Sequence, residues 1–225
     1  MLTRLSRRGG RLVCQGSPAV GVDNQMTIAS DVTAIIRVDL LETEPRVWRR
    51  FAVPVSTTLH GLHALIQAAM GWHDEHLWEF RIGERRYGIP DPEDDPGRPV
   101  SRASGTKLAS IVKRHSDPFL YIYDFGDNWR HTVTLERIED ARPPIIYPAF
   151  IDGERRCPPE DVGGVAGYER FLDIMGDPAD PEHAQTMEWF DDSQFDADDI
   201  NHEMIQFRFG EIVKRTYARQ GRSPF

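Results

Sequence analysis

The stretch Tyr121-Ile-Tyr-Asp-Phe-Gly-Asp-Asn-Trp-Arg-His-Thr-Val-Thr-Leu135 decides how the chain is read. Apolar and aromatic residues run up to Asp124 and resume at Trp129, with Phe125, Gly126, Asp127 and Asn128 between them. Gly, Asp and Asn suit turns, because they tolerate left-handed backbone or bond nearby amides. The stretch therefore predicts a hairpin with strands over 119–124 and 129–137. Along the second strand side chains alternate. Trp129, His131, Val133 and Leu135 share one face; Arg130, Thr132, Thr134 and Glu136 share the other. His131 is thus expected to point inward. Asp124, Asp127 and His131 place three ionisable groups within eight positions of an apolar hairpin.

Working outward, residues 32–41 alternate Ala34, Ile36, Val38 and Leu40 against Thr33, Ile35, Arg37 and Asp39. Residues 46–53 alternate Val47, Arg49, Phe51 and Val53 against Trp48 and Arg50, and Pro54 ends the run. Their short Glu42-Thr-Glu-Pro45 link makes an antiparallel pair. Ser56 or Thr57 then caps a helix to about Met70, with Leu59, Leu62, Leu65, Ile66 and Ala69 as its apolar stripe and Gly71 as its stop. His60 and His63 are expected on or beside its solvent face.

A strand over 76–82 puts His76, Trp78, Phe80 and Ile82 on one face, and 85–87 can return beside it. Residues 91–99 are a Pro- and Asp-rich loop, 106–114 a single helical turn, and 147–153 irregular. Cys157-Pro-Pro-Glu-Asp-Val-Gly-Gly reads as a rigid loop. Helices follow over 167–175, 181–190 and 197–207, the last capped by Asp196.

Strands followed by helices with short links predict an α+β fold. Its sheet is mainly antiparallel, with a helix after the first hairpin and a helical C-terminal third packed on the sheet. One domain is expected over 31–207, between a flexible extension at 1–30 and a basic tail at 208–225. Met26 is an alternative natural start, which would leave residues 1–25 outside the natural protein.

The net charge of −9 argues against broad nucleic-acid or anionic-membrane binding. It leaves room for a local patch, and Arg46, Arg49, Arg50, Arg85 and Arg86 are the candidates for a nucleic-acid partner. A core-facing Trp48 beside surface arginines accounts for the same strand. No apolar run approaches the ~20 residues that span a membrane, so a soluble, cytoplasmic protein is the expectation. Cys14 and Cys157 are the two cysteines, and no Cys-x-x-Cys pair is present.

His76 and His131, both on apolar faces, need partners, because an unpaired buried imidazole costs on the order of 1–3 kcal/mol. Asp124, Asp127, Glu160 and Asp161 are the available acceptors. Two readings stand side by side. In one, the cluster is a buried polar network that clasps hairpin and loop. In the other, it is a site. The favoured function is a non-catalytic binding or accessory module with a polar groove at the hairpin, lined by His76, Asp124, Asp127, Trp129, His131, Glu160 and Asp161. The alternative is a metal-assisted hydrolase or nuclease using His76, His131, Asp124 and Asp127, with His76 and His131 as metal ligands and His131, Asp124 and Asp127 as catalytic candidates. A Cys157 nucleophile with His131 as base is a weaker possibility. No cofactor is implied by any motif.

Several of these stretches together resemble a known family. They are Val47-Trp-Arg-Arg, Leu59-His-Gly-Leu-His with Met70-Gly-Trp, His76-Leu-Trp-Glu-Phe-Arg-Ile, Tyr123-Asp-Phe-Gly-Asp-Asn-Trp-Arg-His, Cys157-Pro-Pro-Glu-Asp-Val-Gly-Gly with Gly167-Tyr, and Phe195-Asp-x-x-x-Ile-Asn. They are similar to the plasmid pRi ORF-three-like family, whose members also carry the name of transposon-element passenger proteins, TnpR. The resemblance covers roughly residues 30–207. It implies a compact α+β domain found on plasmids, mobile elements and bacterial chromosomes, with no established activity. The passenger name suggests a resolvase. No serine- or tyrosine-recombinase arrangement is recognisable in this chain, so recombination is not carried over.

Overall fold

The first two alternating runs form β1 (Val32–Leu40) and β2 (Trp48–Pro54), paired antiparallel with Ile36 opposite Phe51. The decisive hairpin forms β6 (Phe119–Tyr123) and β7 (Trp129–Asp140), with Tyr121 opposite His131. Between these pairs lie α1 (Leu59–Met70), β3 (Trp78–Ile82), β4 (Arg85–Gly88), β5 (Val100–Arg102) and the short α2 (Leu108–Val112). After β7 come β8 (Ala149–Glu154), α3 (Gly164–Gly176), α4 (His183–Phe190) and α5 (His202–Arg219). These elements belong to a computed structural model that describes residues 32–91, 96–113, 117–143, 145–190 and 195–221. The expectations for residues 1–30, Cys14 and the end of the chain past 221 lie outside them.

The strands make one sheet in the order β5-β4-β3-β6-β7-β1-β2-β8. Every pairing is antiparallel except β4 with β5. One sheet face carries Ala34, Ile36, Val38, Phe51, Phe80, Tyr121, Trp129 and Val133, which bury with Leu59, Leu62, Leu65 and Ile66 of α1. Phe209 of α5 joins this core, its ring edge-on to Phe51 and Phe150. The C-terminal helices thus pack on the same side as α1, as the order of strands and helices predicts. The opposite face is polar and holds ion pairs such as Arg50–Glu136 and Arg37–Asp39.

Thr58, one residue later than expected, caps α1 by accepting from the Gly61 amide, and Gly71 closes it at φ 92°. Other expectations are corrected. Residues 149–154 form a strand on the sheet edge rather than irregular chain. Asp196 caps no helix: its carboxylate takes the Asp198 amide, and α5 starts after a left-handed Asn201. The expected frayed tail is helical to Arg219, because Ile205, Phe209 and Val213 extend its buried stripe. His63 is not on the solvent side of α1. It is fully buried, stacked on Trp78 at 3.9 Å, with Nδ1 2.8 Å from the Tyr121 hydroxyl and Nε2 2.8 Å from Asp74.

The arginine patch does not form. Arg49 is 1% exposed and points into the core, while Trp48 lies on the outer face under Arg37. Four strands separate β2 from β4 in the sheet. Arg50 and Arg86 are paired with Glu136 and Glu79. Among the described residues, no helix is long and apolar enough to cross a membrane.

Candidate functional site

The turn between β6 and β7 takes its shape from its acidic and amide residues rather than from its glycine. Asp124 and Asn128 are the left-handed residues, at φ 54° and 56°. The Asn128 amide donates to the Asp124 carbonyl at 2.6 Å, and Asp124 Oδ1 accepts from the Gly126 amide at 2.8 Å. Asp and Asn tolerate this backbone better than other side chains. Asp124 is thereby held with its second carboxylate oxygen turned toward the loop that precedes β3.

The Cys157–Gly164 loop closes on this turn. Asp127 Oδ2 accepts the Gly163 amide at 3.1 Å. Glu160 Oε1 accepts from the Tyr123 hydroxyl at 2.9 Å and from the His73 amide at 2.8 Å. Trp72 donates its indole N–H to the Pro158 carbonyl and stacks on Tyr123 at 4.9 Å. Burial, then the bond to Glu160, pushes the Tyr123 hydroxyl pKa well up, so it stays a donor. Trp72 and Tyr123 are central to this clamp. In the sequence Trp72 opens the polar run Trp-His-Asp-Glu-His between a helix and a strand, and Tyr123 is one of several apolar strand residues, so neither stands out. The signal available was an aromatic beside each acidic segment.

Two glycines make the closure possible. A Cβ on Gly164 would lie 2.8 Å from the Asp127 carbonyl oxygen, and one on Gly167 would lie 1.9 Å from the Val162 carbonyl oxygen. Gly167→Ala must displace the Val162 backbone at the end of the loop and is expected to cost about 2 kcal/mol or more, at the upper end of overpacking effects. Gly210 in α5 has open space around its Cβ position. Gly210→Ala should instead stabilise by roughly 0.5–1 kcal/mol, since alanine is the better helix former. Urea unfolding of both variants checks the opposite signs.

His76, Asp124 and Asp161 converge at the seam between turn and loop. His76 Nε2 stands 3.0 Å from Asp161 Oδ1 and 3.7 Å from Asp124 Oδ2. One donor atom from each of the three lies within 4.8 Å of the others. His76 precedes β3 rather than belonging to it, and its ring packs edge-on to Tyr123. Asp124 is 8% exposed, whereas Asp161 is open to solvent and sits at φ 56°. Leu77 and Phe125, 65% and 49% exposed, are chain neighbours of His76 and Asp124. Asp161 also lines a cleft of about 270 Å3 with Val162, Phe171, Ile174, Thr186 and Trp189.

The other candidates lie elsewhere. His131 is fully buried, edge-on to Trp72, with Nδ1 3.4 Å from the Tyr121 carbonyl. Burial pushes its pKa down to about 3. Among the described residues the donor atoms that come within 4.8 Å of one another are those of His76, Asp124 and Asp161, so the four-residue set His76, His131, Asp124 and Asp127 does not converge. Trp129 is in the core and Asp127 is spent on the loop amide. Cys157 is buried against Arg49 and Met70, and burial raises its thiol pKa. It has no imidazole base among its hydrogen-bond partners.

Three comparisons bear on this arrangement. Residues 33–204 match the family model of the plasmid pRiA4b ORF-3-like protein. The chain is 36% identical over 187 residues to the uncharacterized protein y4hQ of Sinorhizobium fredii (strain NBRC 101917 / NGR234), spanning 83% of this chain and 95% of the relative. A crystal structure of a protein of unknown function from Methanosarcina mazei Go1 superposes with a TM-score of 0.67 at 33% identity, covering 76% of this chain and 96% of that one. The matched span takes in the sheet from the second residue of β1 onward, the turn and the Cys157–Gly164 loop. The chain belongs to the plasmid pRiA4b ORF-3-like protein family.

Proposed function

We propose that the protein is a non-catalytic binding module whose ligand site is the seam between the β6–β7 turn and the Cys157–Gly164 loop. One observation carries this reading: His76, Asp124 and Asp161 are brought together at the surface of a clamp that fixes them from beneath. The clamp bonds of Asp127, Glu160, Tyr123 and Trp72 hold the seam in shape before a ligand arrives, which lowers the ordering cost of binding. Exposed Leu77 and Phe125 beside it supply apolar contact. The non-catalytic half rests on the side chains at hand. Cys157 is sealed in the core, and His131 is too deep to exchange protons with a bound molecule. The plasmid name of the family supports an accessory role linked to mobile DNA.

A thermal-shift screen of the full chain against nucleotides, sugar phosphates, short peptides and divalent salts tests the reading. A ligand at about 100 times its Kd stabilises by about 2.7 kcal/mol, or several degrees for a chain of this size. The expected hit stabilises the wild type and not His76→Ala. A hit that acts equally on both places the ligand elsewhere. Turnover of a hit into product overturns the non-catalytic half.

A further inference from the structure

Resting on that reading of the seam, we infer that His76, Asp124 and Asp161 form a site for a divalent first-row transition-metal ion. The imidazole nitrogen of His76 does not behave as an ordinary ion-pair partner. His76 Nε2 is buried and has no hydrogen-bond partner, although Asp161 Oδ1 is only 3.0 Å away. The two atoms are close but not aligned as N–H donor and carboxylate acceptor. A simple histidine–aspartate pair gains most of its energy from that alignment. A nitrogen lone pair and two carboxylate oxygens turned toward a common point are instead what a cation needs.

The spacings agree. Zinc-type bonds to imidazole nitrogen and carboxylate oxygen are about 2.0–2.2 Å long, so donors around one ion stand about 3.0–3.5 Å apart at tetrahedral or octahedral angles. The 3.0 and 3.7 Å separations from His76 Nε2 bracket that range, and all three donors are within 4.8 Å. The ligands come from three segments: the loop before β3, the β6–β7 turn and the Cys157–Gly164 loop. Two are anchored from behind. Asp124 uses Oδ1 on the Gly126 amide and leaves Oδ2 free for a cation. The His76 ring rests against Tyr123, whose hydroxyl is tied to Glu160.

The donor set points to the metal class. Imidazole favours zinc and its first-row neighbours, whereas carboxylates favour harder ions such as manganese and magnesium. One nitrogen with two carboxylates suits zinc, manganese, iron(II) or cobalt(II) better than calcium or magnesium alone. Three protein ligands also leave at least one coordination position for water or for a donor atom of a second ligand. Asp161 is the most exposed of the three, so that position faces solvent.

The experiment is a titration of chelator-treated full chain with Co2+, read by visible absorption, and with Zn2+, read by calorimetry. One equivalent per chain is expected. His76→Ala and Asp161→Asn should each weaken affinity 100-fold or more. Asp124→Asn keeps the Gly126 bond through its amide oxygen, so it should fold and still lose 10-fold or more in affinity. Asp152→Asn, which alters an exposed carboxylate on β8 that takes no part in the seam or its clamp, should bind as the wild type does. Absence of stoichiometric binding overturns the metal inference, as does binding that His76→Ala leaves unchanged. If metal fails to bind while an organic ligand still depends on His76, the metal inference falls and the binding module stands. If neither depends on His76, both fall.

Discussion

Arg49→Met should destabilise the protein by about 3–5 kcal/mol, one of the largest losses available from a single side chain away from the seam. The guanidinium is 1% exposed, and its hydrogen-bond partners among the described residues are three main-chain carbonyls and a thiol, with no carboxylate. Its Nε donates to the Ala69 carbonyl near the C-terminal end of α1 at 2.8 Å. Nη1 donates to the Trp48 and Glu154 carbonyls at 2.8 and 2.9 Å, and Nη2 to Cys157 Sγ at 3.2 Å. One side chain therefore joins α1, β2, the end of β8 and the loop that builds the seam. Gly153, opposite Arg49 in the β2–β8 register, makes room: a Cβ there would lie 2.8 Å from Arg49 Cδ. Replacing a buried ion pair with apolar groups can be neutral, because both charged partners leave together. Here the acceptors are main-chain carbonyls that stay behind, each costing about 1–3 kcal/mol if left dry. Arg50→Met on the outer face loses only the partly exposed pair with Glu136 and should cost under about 1 kcal/mol. Chemical unfolding of the two variants compares them directly. Equal stabilities would show that Arg49 does not carry the junction.

The same arginine shows why part of the molecule could be read from sequence and part could not. Alternation places Arg49 on the face of Val47, Phe51 and Val53, yet arginine is so rarely buried that its residue type points to the surface. The period was the better guide than the residue type. His63 follows the same logic, since it sits beside Leu59, Leu62 and Ile66 on the buried stripe of α1. The hairpin is legible because an apolar run and an alternating one are separated by Gly126, Asp127 and Asn128, three turn-forming residues, and the α+β class follows from the order of strands and helices. β8 was not legible: it is a short edge strand with Ile151 and Asp152 exposed, so little hydrophobic pattern marks it. α5 carried its signal past residue 207 in Phe209 and Val213, but the arginines and lysine around them suggested a solvated tail. The seam residues His76, Asp124 and Asp161 could be nominated from local sequence. Their meeting, and the separation of His131 from them, depends on the closure of the Cys157–Gly164 loop. That closure rests on non-local contacts such as Gly164 against Asp127, which no local spacing encodes.

Acid should destabilise this protein well before its carboxylates protonate, and His131 should be the main cause. Burial holds the His131 pKa at about 3, against an ordinary value of 6.5, so the folded protein keeps the ring neutral. The unfolded chain takes up that proton as pH falls below about 6.5. A state that binds more protons is favoured by acid, so the unfolded state gains. The contribution of His131 is complete above pH 6.5 and is lost progressively down to about 3. The slope is about 1.4 kcal/mol per pH unit, or roughly 2.7 kcal/mol by pH 4.5. His63 adds to the same limb, because burial lowers its pKa even though Asp74 opposes the shift. Asp74 has a depressed pKa through its bond to His63, so its own contribution fades only below about 3.8. The window from pH 6.5 to 4.5 therefore lies above the carboxylate limb, which Glu211, with a pKa lowered by its bond to Lys214, opens at its ordinary value of 4.5. Urea midpoints at pH 7, 6, 5 and 4.5 should fall steeply for the wild type. His131→Leu removes one titrating group and keeps an apolar side chain facing Trp72 and Tyr121. Its slope should be shallower by about 1.4 kcal/mol per unit, even if its stability at pH 7 is lower. Parallel slopes in the two proteins would mean that His131 is not held neutral in the folded state.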